Sequence, residues 1–114
     1  MDTISVGAAP YSSIGCWKDT GNRAIPTLEG KDPSRLKGSY PSRPNAIQMC
    51  YEAAKAKGFH IFAVQNGGWC AGMRGGTSYQ KYGKATNCRN GKGGAWANDV
   101  YQIGGRHCFL SARS

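Results

Sequence analysis

The chain has 114 residues, with 17 glycines and charged residues at only 18%, which suits one domain with a thin core, many tight turns and little long helix. Fifteen Lys/Arg against six Asp/Glu give a net charge of +9, so a partner selected by charge is anionic: an acidic glycan, a bacterial surface polymer, phospholipid or nucleic acid. No apolar run approaches the roughly 20 residues of a membrane-spanning helix, which excludes a transmembrane segment.

The first ten residues, MDTISVGAAP, lack the basic start and apolar core of a secretion signal. "IGCWKDTGNRAI", residues 14–25, alternates around Cys16 and Trp17 before meeting Thr-Gly-Asn, and predicts a short strand and a turn. Residues 26–44 hold Pro26, Pro33, Pro41 and Pro44. They read as an ordered loop, long enough to serve function or to cover one side of a core. "SRPNAIQMCYEAAKAKGF", residues 42–59, is the clearest helix. Asn45 can cap it, Ala46, Ile47, Cys50, Tyr51 and Ala54 form one apolar stripe, and Gly58 can end it after Lys55 and Lys57.

"FHIFAVQ", residues 59–65, has the composition of a buried strand, and Asn66-Gly67-Gly68 turns the chain. "GGWC" is read as turning back from that strand, and residues 71–95 as a long loop with Arg74, Lys81, Lys84, Arg89 and Lys92. "WANDVYQI", residues 96–103, alternates again and predicts a closing strand. The fold class is α+β: one main helix packed on a small antiparallel sheet, disulfide-stapled and loop-rich, burying the helix stripe and one sheet face. Residues 11–103 form the module, with 1–10 and 104–114 as flanking tails. The half from residue 59 onward carries seven Lys/Arg against Asp99 alone, so the basic character is concentrated there.

Cys16, Cys50, Cys70, Cys88 and Cys108 are widely scattered. No C-x-x-C starts a zinc site and only His60 and His107 could help bind a metal, so no metal or other cofactor is expected. Scattered cysteines in a small glycine-rich domain fit a disulfide framework and an oxidising, extracellular compartment, with any signal already removed. Cys50 on the inner helix face and Cys70 beyond the strand could meet, and Cys16 would then pair with Cys88. Four cysteines allow three connectivities. Cys108 is left over, free or bridging two chains into a dimer. Catalysis by Cys70 lacks a recognisable activating base.

"GCWKDTGNRAI", "AIQMCYEAAKAKGF", "FAVQNGGWC", "YQKYGKATNC" and "WANDVYQI" together resemble the WSC-type cysteine-rich module. They look closest to a WSC-like variant that occurs, often repeated, in extracellular proteins of marine invertebrates. WSC modules typically carry more cysteines, with a C-x-C where this chain has "WCAG". The resemblance implies a secreted or cell-surface module related to the PAN/apple fold, and carbohydrate binding as its role.

Sugar binding needs an aromatic face and a few fixed polar groups. Residues 65–90 supply both, with Tyr79 and Tyr82 as stacking faces and Arg74, Lys81 and Asn87 as hydrogen-bonding groups. Trp69 is weighed between platform and core. Trp17 and Trp96 are expected in the core, Asp19, Arg23 and Asp99 as a structural ion pair, and Asn22-Arg23 as a second polar site. The basic residues favour an acidic glycan. A glycosidase would need two carboxylates flanking the sugar, and none lies in the basic loop, so a non-catalytic lectin-like module is expected. A cationic protein binding anionic microbial surfaces and a protein-interaction module are the alternatives. Nucleic acid is not the expected partner, because the cysteines point outside the cell.

Overall fold

A computed structural model describes residues 10–104. Within them the elements are β1 (Tyr11–Lys18), α1 (Ala46–Ala56), β2 (Ile61–Gln65), β3 (Trp69–Met73) and β4 (Ala97–Ile103), with short 3-10 turns at Tyr40–Ser42 and Ser78–Gln80. The strands form one sheet in the order β1-β4-β2-β3, antiparallel throughout. One helix lies on a small antiparallel sheet with two disulfides, an α+β fold.

The helix forms where its apolar stripe meets the sheet: Ala46, Cys50, Tyr51, Ala53 and Ala54 are buried. Its start differs from the expectation. Asn45 has φ 52 and its side chain makes no capping bond, because a side-chain cap needs an extended backbone at that position. Its end follows glycine chemistry. Gly58, at φ 77, donates its N–H to the Lys55 carbonyl, and Phe59 donates to that of Ala54, a Schellman closure. Phe59 is consumed by this turn, and β2 begins at Ile61 rather than Phe59.

Segment 69–73, expected as turn and loop, is the strand β3. It pairs with β2 through the Asn66-Gly67-Gly68 turn, in which Asn66 (φ 51) and Gly67 (φ 95) are left-handed, the backbone that Asn-Gly supplies in hairpins. A Cβ on Gly68 would collide with the Tyr40 carbonyl oxygen, so glycine lets the proline-rich loop lie against this hairpin.

That loop is fixed by Arg43, which is only 3% exposed. Its guanidinium donates to both Glu29 carboxylate oxygens at 2.7 and 3.0 Å and to the carbonyls of Lys37, Gly38 and Gly68. The bidentate contact neutralises the buried charge, and the carbonyls satisfy its remaining donors. Glu29 also accepts the Cys70 N–H at 2.7 Å, tying the loop to β3.

Both sheet faces are covered, where one was expected. On the helix side Phe62, Val64 and Tyr101 pack with Cys50, Tyr51, Ala54 and Leu28. The opposite face buries Ile61, Ala63, Ala71 and Val100 beneath Ile25, with Trp17, Trp69, Tyr79 and Tyr82 around them. Loops rather than a second helix close this side, which is why no periodicity announced it. Cys50–Cys70 joins helix to β3, and Cys16–Cys88 joins β1 to the basic loop, with Cα separations of 5.4 and 6.0 Å. Cys108 and the rest of residues 1–9 and 105–114 lie outside the described residues.

Trp96 corrects another expectation. It is 53% exposed, not core. The strand starts at Ala97, and Gly94 and Ala97 exchange backbone hydrogen bonds of 3.0 and 3.1 Å that close a turn with Trp96 near its tip. There Trp96 takes φ 53, a left-handed backbone that costs a residue with a Cβ about 1–2 kcal/mol.

Candidate functional site

Asp19 anchors the site. It is 4% exposed, and its carboxylate accepts hydrogen bonds from the Ala24 N–H at 2.9 Å, Arg23 Nη1 at 3.1 Å and Gln65 Nε2 at 2.9 Å. The same Gln65 amide reaches Asn98 Oδ1 at 3.0 Å, while Asn98 Nδ2 is buried without a partner among the described residues. The Asp19 contact holds the Arg23 side chain in place. Its Cζ lies 4.0 Å from the Trp69 ring centroid and 5.0 Å from that of Trp96. A cation between two indoles is attracted by both π faces. The Asp19 N–H also donates to the Trp96 carbonyl at 2.9 Å, so backbone and side chain both tie the exposed indole to the buried carboxylate.

Trp96 is shared by two concavities. The larger, of about 670 Å³, is lined by Lys18, Thr20, Tyr82, Lys84, Asn87 and Trp96, among others. The smaller, of about 180 Å³, brings together Arg23, Tyr40, Gln65, Asn66, Trp69 and Trp96. An aromatic wall, hydroxyls, one amide and two lysines line the larger cleft. That combination can pack the apolar face of a ring and hydrogen-bond its polar substituents.

The residues expected to bind sugar do not form one cluster. Tyr82 and Asn87 line the larger cleft and Trp69 the smaller. Tyr82 is braced by its hydroxyl, which donates to the Asn22 carbonyl at 2.5 Å, and Lys81 Nζ lies 5.2 Å from its ring. Asn87 uses Nδ2 on the Ala95 carbonyl at 3.1 Å and so supports the turn that carries Trp96. Tyr79 instead packs edge-on against Trp17, centroids 5.5 Å apart, over the second core. Arg74 lies on a separate groove with Lys31, Lys57 and Phe59.

The ion pair expected from Asp19, Arg23 and Asp99 contains only the first two. Asp99 accepts the Gly93 N–H at 2.8 Å instead. Burial raises its carboxyl above the ordinary value, against the opposing pull of that hydrogen bond. Burial, with Asp99 and Tyr11 nearby, likewise pushes the Tyr101 phenol far above its usual range. Among the described residues no three His, Cys, Asp or Glu side chains converge as metal ligands, and no helix is long and apolar enough to cross a membrane.

Trp96, Lys18 and Thr20 are cleft residues that sequence reasoning missed. The signal for Trp96 was the Gly93-Gly94 pair before it, which marks a turn at that point rather than a strand; Lys18 and Thr20 carried none. No known family model matches the chain, and no curated protein matches it.

Proposed function

We propose that this chain is a secreted, non-catalytic carbohydrate-binding module that seats its ligand against Trp96 in the larger cleft. One observation carries the reading: a large indole, half exposed, is kept at a backbone conformation unfavourable for any residue with a Cβ. Strain held at an exposed aromatic points to a use for that aromatic. Thr20, Asn87 and the rim of Tyr82 supply polar contacts, and Lys18 and Lys84 favour a sugar bearing carboxylate or sulfate. The resemblance to WSC-type modules and the two disulfides support the same reading and an extracellular location.

The net charge of +9 favours a second reading, in which the protein binds anionic microbial surfaces by charge alone. A glycan array probed with the oxidised protein at low and high salt separates the two. A confined set of related sugars that persists at high salt supports the lectin. Signal on every anionic glycan that disappears as salt screens it would replace the lectin with the charge-driven binder.

A further inference from the structure

A further concavity shares no residue with the two clefts around Trp96. Pro26, Leu28, Phe59, Gly72 and Met73 line a groove of about 420 Å³, together with Lys31, Lys57 and Arg74. Gly72 lets the floor close: a Cβ there would sit 2.9 Å from Leu28 Cδ1 and 3.0 Å from Phe59 Cδ2. Arg74 extends toward the end of α1, where a Cβ on Gly58 would lie 3.8 Å from its Nη1. Among the described residues the ion pairs are Arg23–Asp19, Arg35–Asp32 and Arg43–Glu29, so none of these three cations has a carboxylate partner there. Among the described residues, positive charge without a carboxylate partner thus lines the same groove as an apolar floor.

We propose that this groove binds a small amphipathic anion, dissolved as a single molecule. Its acyl or aromatic body would lie on Leu28, Phe59 and Met73, and Lys31, Lys57 and Arg74 would hold one carboxylate, sulfate or phosphate head. Charge complementarity selects the head, since Arg and Lys make their strongest hydrogen bonds to such oxygens. The backbone selects a small ligand over a peptide added as a strand. The outer side of β3 is already used: Leu28 donates its N–H to the Cys70 carbonyl at 2.9 Å, and Gly72 donates to that of Pro26 at 3.0 Å. The groove's volume lies in the range of small-molecule sites. The site stands or falls independently of the sugar reading.

The test is an amide NMR titration of the oxidised full chain with octanoate, with octanol as its uncharged match, and with phosphatidylglycerol vesicles. Octanoate should give saturable shifts confined to residues 26–31, 57–59 and 72–74, and octanol should bind about tenfold more weakly for want of charge-assisted hydrogen bonds. Lys57→Glu combined with Arg74→Glu should weaken octanoate by about tenfold or more and leave octanol unchanged. Lys31→Glu with Lys57→Glu serves if that pair fails to fold. Absent or scattered octanoate shifts would overturn the proposal, as would equal affinity for octanol or indifference to charge reversal. A response to vesicles without one to octanoate would assign these cations to a membrane surface and overturn it too.

Discussion

Replacing Trp96 by alanine and by glycine separates the energetics of its backbone from those of its ring. Both variants lose the indole, its contact with Arg23 and the roughly half of its surface that is covered, so those losses cancel in the comparison. What remains is the backbone at φ 53. An alanine held there pays about 1–2 kcal/mol for its Cβ, whereas glycine pays about 0.5–1 kcal/mol for the extra freedom of its unfolded chain. Trp96→Gly should therefore be more stable than Trp96→Ala by about 0.5–1 kcal/mol, the reverse of the order in a helix or strand. For a domain of this size that is roughly 2–6 °C in Tm. Thermal unfolding of the two oxidised variants in parallel measures the difference, and glycan binding on the same samples should be lost in both. An alanine variant as stable as the glycine variant, or more so, would refute the claim that Trp96 is held under strain.

Arg43→Lys should destabilise the fold by about 2–4 kcal/mol in urea titration, because one ammonium cannot replace a bidentate guanidinium that also serves three carbonyls. Loop lengths of 72 and 20 residues imply that removing Cys16–Cys88 as paired alanines costs about 4 kcal/mol and removing Cys50–Cys70 about 3. The guanidinium midpoints should fall in that order, and a reversed order would show that packing around the buried Cys50–Cys70 pair outweighs chain entropy. Burial raises the Asp99 carboxyl, so the folded chain binds that proton more tightly than the unfolded chain, and the stabilisation this gives is complete below the unfolded value and lost as pH rises through the folded one. Asp99→Asn, which keeps an acceptor for Gly93, should thus gain stability over the parent at neutral pH, and the gain should shrink toward acid pH in matched melts.

The legible parts of the fold were those in which pattern and position agree. The stripe from Ala46 to Ala54 located α1, and the unbroken run Ile61–Gln65 located a strand buried on both faces. Once the helix and strand were placed, the cysteine on the inner helix stripe had Cys70 within reach. β3 was not legible, because Trp-Cys-Ala-Gly-Met contains no β-branched residue and becomes a strand through its pairing with β2. Arg43 and Glu29 are 14 residues apart in a segment without periodicity, so their pairing left no trace in the pattern. At the candidate site, Tyr82 and Asn87 were visible as aromatic and amide in one loop, but Arg74, directly after the end of β3, lies on another groove. Trp96 was misplaced by one residue of strand boundary, enough to exchange core for surface.

The loops that cover the sheet have one more effect. Along β1, the Lys18 N–H donates to the Gly83 carbonyl and the Ala85 N–H to that of Cys16, while residues 26–28 do the same work along β3. Among the described residues, loop backbone thus occupies the outer edge of β1 at Cys16–Lys18 and that of β3 at Cys70–Gly72, shortening the row of free amides and carbonyls each strand offers a neighbouring molecule. Exposed edges of that kind are where native sheets join into aggregates. A domain crowded beside its own copies, at high concentration or in tandem, is protected from that fate by the loops that also shape its clefts, so a substitution that frees residues 83–85 from β1 would be expected to show first as precipitation.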